Sequence, residues 1–217
     1  MEKIGIIDFG SGNLHSVLKA FELVASKSNK GFKVEIVQNS DDLLDCDRIV
    51  LPGVGSFADC KAGLEKIDCL IQSLNDLVVN KGRPFLGICV GMQLLADQGL
   101  ENNPTKGFGW IEGSVELINL KSKILKIPHM GWNTLHIENN HKIIKNIDLG
   151  ENGLHAYFVH SYNFYLKKEE NLITTSNHEI NLTSMIARDN IIGMQFHPEK
   201  SQKLGLKLIN NFIEWSP

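Results

Sequence analysis

The first half of the chain alternates short continuous apolar runs with stretches whose apolar residues recur every three or four positions. Ile4-Gly5-Ile6-Ile7-Asp8 reads as a buried strand, and Phe9-Gly10-Ser11-Gly12-Asn13 turns it into a helix with Leu14, Val17, Leu18, Phe21 and Val24 on one face. Lys33 to Val37 reads as a second strand with alternating polarity, and Arg48 to Leu51 as a third. Ile67, Leu70, Ile71, Leu74, Leu77 and Val78 mark a further helix. Pro84 to Ile88 then reads as a buried strand, and Met92, Leu94, Leu95 and Ala96 as helical material. Strands alternating with helices predict a parallel sheet, because parallel neighbours need a crossover between them.

Past Gly99 the rhythm changes. Gly107-Phe108-Gly109-Trp110, Val115 to Leu120 and Pro128-His129-Met130-Gly131-Trp132-Asn133-Thr134 are strand and turn material without amphipathic helices between them. Gly153 to Tyr165, Leu172 to Ser176, Thr183 to Arg188 and Ile191 to Phe196 follow at hairpin-like intervals, with Asp189-Asn190 the clearest turn, so this half is expected to be antiparallel or mixed. Lys200 to Trp215 closes as a helix with Leu204, Leu208, Phe212 and Trp215 on one face. With no linker, repeat or low-complexity tract, one domain over 1–217 is expected.

Two glycine-rich turns invite a nucleotide reading and fail its tests. After Gly10 and Gly12, His15 stands where a dinucleotide fingerprint needs its third glycine, and Pro52-Gly53-Val54-Gly55-Ser56-Phe57 lacks the Lys-Ser/Thr ending of a phosphate loop. The second turn follows a strand, at the edge where open α/β sheets build their sites, and its backbone N–H groups could receive an oxyanion.

Composition narrows the partners. Among 217 residues, 22 basic side chains face 25 acidic ones without clustering along the chain, which gives no reason to expect nucleic acid or an anionic membrane. The longest stretch without charged residues, Asn152 to Leu166, is short of the roughly 18 apolar residues a membrane span needs. No secretory leader opens the chain, and Cys46, Cys60, Cys69 and Cys89 match neither a C-x-x-C pair nor a zinc ribbon. Reduced thiols in the cytoplasm are expected.

Candidate chemistry concentrates at Gly87-Ile88-Cys89-Val90-Gly91. A free cysteine is usually a small core hydrophobe, but here it sits between glycines at a strand-to-helix turn, the setting of a nucleophile elbow with sulfur in place of oxygen. Glycines permit the sharp turn, and a helix N-terminus aimed at Cys89 favours the nucleophilic thiolate. Such a cysteine needs a base. Among eight histidines, His197 ends a buried strand, Pro198 stiffens the turn after it, and Glu199 can accept its imidazole N–H. Cys89, His197 and Glu199 would then serve as nucleophile, base and orienter.

Taken together, these segments resemble the triad-type, class I glutamine amidotransferases over nearly the whole chain. Within that group, Asp8-Phe9-Gly10-Ser11-Gly12-Asn13-Leu14, Pro52 to Phe57, Gly87 to Gln93, His129-Met130-Gly131-Trp132-Asn133 and Tyr157-Phe158-Val159-His160-Ser161-Tyr162 are similar to the glutaminase subunits of imidazole glycerol phosphate synthases. Two departures stand out: Ser26 to Lys33 is longer than usual, and Gln202 replaces a common glycine.

The resemblance implies a three-layer, flavodoxin-like α/β fold with a mostly parallel central sheet and an added antiparallel or mixed portion. It implies a glutaminase in which Cys89 attacks the side-chain amide of L-glutamine, N–H groups of Val54 and Val90 hold the oxyanion, and His197 protonates departing ammonia. Gly55, Gln93, His160, Ser161 and Tyr162 would bind substrate, with no metal or cofactor. It further implies a heterodimer with a (β/α)₈-barrel cyclase that uses the ammonia to form imidazole glycerol phosphate and AICAR, docked at Asn13, Trp132, Asn133 and Lys200. Because an unregulated glutaminase would waste glutamine, Pro52-Gly53-Val54-Gly55 is separately expected to gate the site, its glycines easing rotation of the peptide that presents the Val54 N–H. A paralogue amidating a bacterial surface sugar would share every motif, and a non-catalytic regulatory module on the same scaffold is the alternative from another class.

Overall fold

In a computed structural model that describes residues 1–122 and 125–217, β1 (Glu2–Ile7) lies parallel between β2 (Phe32–Val37) and β3 (Arg48–Gly53). Their apolar runs are long enough to be covered on both faces: Ile4, Ile6, Ile49, Val50 and Leu51 are all fully buried. β4 (Phe85–Cys89) pairs in parallel with β3, and its other neighbour is β14 (Ile191–Met194). β12 (Leu172–His178), β13 (Ile180–Arg188) and β14 form the expected antiparallel meander, turning at Asp189-Asn190. With β9 (His136–Ile137) at the far edge, the eight strands run β2-β1-β3-β4-β14-β13-β12-β9, a parallel block extended by an antiparallel one.

The helices fall on opposite faces because the connections move in opposite directions. α1 (Leu14–Ala25) carries the chain from β1 outward to β2, whereas α2 (Ser40–Leu44), α3 (Phe57–Glu65) and α4 (Leu70–Leu74) accompany steps back across the sheet. Right-handed crossovers therefore place α1 on one side and the other three on the opposite side, giving three layers. α1 buries Val17, Phe21 and Val24, and Phe21 meets Phe212 edge-on at 6.3 Å. Phe212 belongs to α6 (Gln202–Glu214), whose Leu204 and Leu208 are buried on the same stripe. Trp215 is buried just beyond the helix end rather than within it.

Several local expectations shift. The helix drawn through Ile67 to Val78 starts only at Leu70, after Cys69 in a left-handed conformation, and passes into a π-helical turn at Asn75–Asn80. Leu70, Leu74, Leu77 and Val78 are still buried, so the apolar pattern marks burial correctly but does not distinguish the widened turn. The apolar periodicity of the sequence does not mark α2 or α3. Asn39 caps the first by accepting the Asp42 N–H, and Ser56 caps the second by accepting the Asp59 N–H. The helix after Cys89 is a single turn, α5 (Val90–Gln93), rather than a run to Ala96.

Two smaller sheets flank the large one. β8 (His129–Thr134) pairs antiparallel with β10 (His155–His160), and β11 (Tyr162–Leu166), β7 (Gly113–Leu117), β5 (Gln98–Gly99) and β6 (Thr105–Lys106) form the other. Basic residues, dispersed along the chain, do gather in space: Lys27, Lys145, Lys203 and Lys207 rim one groove beside α1 and α6. Among the described residues, no helix is long and apolar enough to cross a membrane.

Candidate active site

Cys89 closes β4 with φ of 55° and ψ of −111°, a left-handed backbone for a residue that carries a side chain. The strain rests on the cysteine itself, not on the flanking glycines. Gly87 and Gly91 serve close approach: a Cβ on Gly87 would collide with the Gly91 carbonyl, and one on Gly91 with the carbonyl of Leu51 in β3. The sharp turn leaves the Cys89 side chain at the carboxyl edge of the sheet, where the residue is 5% exposed. Because α5 is one turn long, its dipole adds little. The nearby charge comes from His197.

His197 follows β14 by three residues and is fixed through its backbone: its N–H donates to the Tyr157 carbonyl at 3.0 Å, and its carbonyl accepts from the Ser201 hydroxyl at 2.7 Å. Pro198–Lys200 forms a 3₁₀ turn that returns Glu199 beneath the ring, with Nδ1 to Oε1 at 2.8 Å. Both side chains are almost wholly buried. Burial pulls the His197 pKa down, but the interactions with Cys89 and Glu199 outweigh it and hold it at about 9. Among the described residues, no nitrogen or oxygen partner meets the buried His197 Nε2 or Glu199 Oε2, which leaves the Cys89 sulfur as the group that His197 answers to. A nitrogen held this way is positioned to exchange a proton with a reacting group.

A cavity of about 310 Å³ opens over these groups and is lined by Val54, Gly55, Cys89, Val90, Gln93, His160, Ser161, Tyr162 and His197. Every residue expected to bind substrate or oxyanion therefore reaches one space. Glu101, Pro128 and Val159 also line it and went unnoticed in the sequence. Glu101 accepts the Phe57 N–H at 2.8 Å, and a lone acidic residue in a loop carries no sequence signal of such a place. Larger surface cavities of about 600 and 750 Å³ contain none of these residues.

At the turn expected to hold the oxyanion, Gly53 stands opposite Cys89 in the β3–β4 register, and Val54 follows it. The Val54 carbonyl accepts from the Ser11 hydroxyl and from the Cys60 thiol, the latter at 3.3 Å, which fixes the peptide joining Val54 to Gly55. Val90 N–H heads the turn of α5, where helix geometry leaves it without an intrahelical acceptor.

Of the residues expected at a partner surface, Trp132 is 49% exposed on β8 and meets Tyr157 edge-on at 5.6 Å, and Lys200 Nζ lies 5.9 Å from the same ring. Asn13 is exposed at the start of α1. Asn133 is half-buried, and its amide donates to the Asn177 carbonyl at 2.9 Å and approaches His129 Nε2 at 3.0 Å.

A family model described as glutamine amidotransferase class-I matches residues 5–215. The chain is 47% identical over 215 residues to the imidazole glycerol phosphate synthase subunit HisH of Mesorhizobium japonicum, covering 99% of this chain and 100% of that one. It is 48% identical, at the same coverage, to the protein of that name from Agrobacterium fabrum. Among solved structures, PurLQS from Thermotoga maritima superposes with a TM-score of 0.70 over 98% of both chains at 21% identity, a likeness of fold alone.

Proposed function

The chain belongs to the class-I glutamine amidotransferase family, and from that premise we propose how its residues release ammonia from glutamine. The protein is a cysteine-dependent glutaminase that supplies ammonia to an imidazole glycerol phosphate synthase in histidine biosynthesis. Its residues act as one domain over 1–217. Glutamine occupies the cavity at Cys89, held by Gly55, Gln93 and the segment His160-Ser161-Tyr162. Cys89 Sγ attacks the amide carbon as thiolate, and the N–H groups of Val54 and Val90 receive the oxyanion. His197, which carries a proton at neutral pH, gives it from Nε2 to the departing nitrogen. The C–N bond breaks, ammonia leaves, and a glutamyl thioester remains on sulfur. Neutral His197 then takes a proton from water as its oxygen attacks the thioester, and collapse releases glutamate and restores the starting pair. Glu199 orients the ring and stabilises its charged form.

Ammonia released into water at neutral pH would be protonated and lose its nucleophilicity, so it passes directly to a cyclase subunit. We assign that subunit the (β/α)₈-barrel architecture, in a heterodimer docked over Asn13, Trp132, Asn133 and Lys200. The exposed Trp132 supports this face, since large aromatics anchor interfaces. We place the protein in the cytoplasm, where its four free thiols stay reduced. The full-length relatives carry the synthase-subunit name and not that of a sugar-amidating enzyme, and an intact Cys89-His197-Glu199 set argues against a non-catalytic module.

His197 lining the cavity beside Cys89, its Nδ1 held by Glu199 at 2.8 Å and its pKa, against burial, raised by Cys89 and Glu199, carries this reading. Treatment with a glutamine-analogue electrophile followed by peptide mass spectrometry tests it. The expected adduct is on Cys89 and is suppressed by glutamine; labelling of another residue instead contradicts it.

A further inference from the structure

Gln195 is the fully buried polar residue between β14 and His197, and the hydrolysis described above leaves it without a role. A buried amide must find partners for both ends of its side chain. Its Nε2 lies 3.7 Å from Cys89 Sγ, and its Oε1 lies 3.1 Å from Gln93 Nε2.

Which end of the amide faces sulfur decides the chemistry. An N–H favours thiolate, whereas a carbonyl would accept the S–H and favour thiol. A backbone carbonyl fixes the answer. Tyr162 O only accepts, and it faces both His160 Nδ1 at 2.8 Å and Gln93 Nε2 at 3.4 Å. Rotating the Gln93 amide would set two oxygens against each other, so its NH₂ group points to Tyr162 and also to Gln195. Gln195 must then present its oxygen to Gln93, which leaves its own NH₂ for sulfur.

The histidines on the far side of Tyr162 agree. With His160 Nδ1 donating, neutral His160 accepts at Nε2 from His129 Nδ1 at 2.9 Å, and His129 in turn accepts at Nε2 from the Asn133 amide at 3.0 Å. Each link has one allowed direction from Asn133 to Tyr162 O.

We propose that Gln195 is a catalytic hydrogen-bond donor to Cys89, its amide orientation set by Gln93 and Tyr162 so that N–H, and not oxygen, meets the nucleophilic sulfur. The inference rests on the glutaminase reading and adds a residue to it.

The test is the pH profile of iodoacetamide alkylation at Cys89 in the full chain, read by peptide mass spectrometry for wild type, Gln195→Met and Gln195→Glu. Cys46 and Cys60, whose pKa values burial pushes up to about 11, are internal references. Losing the donor should move the profile up by about one pH unit, a roughly tenfold slower reaction at neutral pH. Gln195→Glu, with a carboxylate against sulfur, should move it further. If Gln195→Glu does not fold, Gln195→Met alone decides. A lowered melting temperature with an unchanged profile would make Gln195 a packing residue and overturn the proposal. Failure of the glutaminase reading looks different: wild-type Cys89 would then react no faster than Cys46.

Discussion

Gly53 and Cys89 are paired in the register of two parallel strands, so the loop that offers Val54 N–H begins where the nucleophile's strand ends. Cys89 carries the left-handed backbone, Gly91 gives the close approach to β3, and His197 arrives from the strand on the other side of β4. Adjacent strand ends thus bring three distant segments of sequence to one cavity.

The proton-transfer roles differ in what they cost to lose. His197→Asn should reduce glutamine turnover by at least ~10³-fold, and Glu199→Gln by less, because in the proposed mechanism the first removes the group that moves the proton and the second its orienter. Steady-state glutaminase assays on variants with unchanged circular dichroism check the order; equal losses accompanied by unfolding would make the pair structural.

Three buried histidines shape stability against pH. Burial, with His160 and His178 adding to it, lowers the His129 pKa to about 3. Burial likewise lowers His160 to about 4, against the pull of the Tyr162 carbonyl. The unfolded chain takes up protons near the ordinary value of about 6.5, so stability is lost as pH falls below that value toward these folded values. His197 has the opposite sign. Its pKa is raised to about 9, so its contribution is complete below about 6.5 and lost as pH rises through 9. Urea midpoints should therefore peak near neutrality and fall on both sides. In His197→Asn the alkaline fall should flatten while the acid fall remains; an unchanged alkaline limb would contradict the pairing.

Trp132→Ala should weaken association with the cyclase subunit by about 2 kcal/mol or more while leaving the melting temperature of the isolated chain nearly unchanged. Half of Trp132 is open to solvent, and its ring meets Tyr157 edge-on at 5.6 Å. Titration calorimetry and thermal denaturation together decide; unaltered affinity with a lower melting temperature would make it a core residue.

In the gate expected at Pro52-Gly53-Val54-Gly55, the peptide that presents the Val54 N–H joins Gly53 to Val54, while the Val54 carbonyl on its other side is held by Ser11 and Cys60. Gly55 has φ of +103° and open space around it, whereas a Cβ on Gly53 would sit 3.0 Å from the Gly91 nitrogen, so Gly53 serves packing. One oxyanion donor is worth ~10²–10³ in turnover. Gly55→Ala should reduce activation by the partner and its ligand, read in kcat, more than it reduces partner affinity. Full glutaminase activity in the isolated wild-type chain would remove the need for a gate.

The legible parts of the site share a physical character. Cys89, His197 and Glu199 stand at ends of apolar runs, where a polar residue has no packing reason to be. Gln195 was not legible because it sits inside such a run, and a buried amide reveals its task only through partners far away in sequence. The helix through Ile67 to Val78 was drawn too regular because periodic burial does not report the i→i+5 bonds at Asn75–Asn80. α3 was missed although Ser56 and Asp59 carry its cap, since the glycines before them pointed only to a turn. The lysines around the groove by α6, Lys27, Lys145, Lys203 and Lys207, come from three segments far apart in the chain, a proximity no linear charge pattern contains.

The most direct test of the glutaminase role is product formation by the reconstituted synthase with Cys89→Ala, using glutamine or an ammonium salt as nitrogen source. In the proposed mechanism Cys89 serves only to release ammonia, so glutamine-dependent synthesis should vanish while ammonium-dependent synthesis proceeds at the wild-type rate. Synthesis from glutamine at the wild-type rate would contradict the assignment of Cys89 as nucleophile.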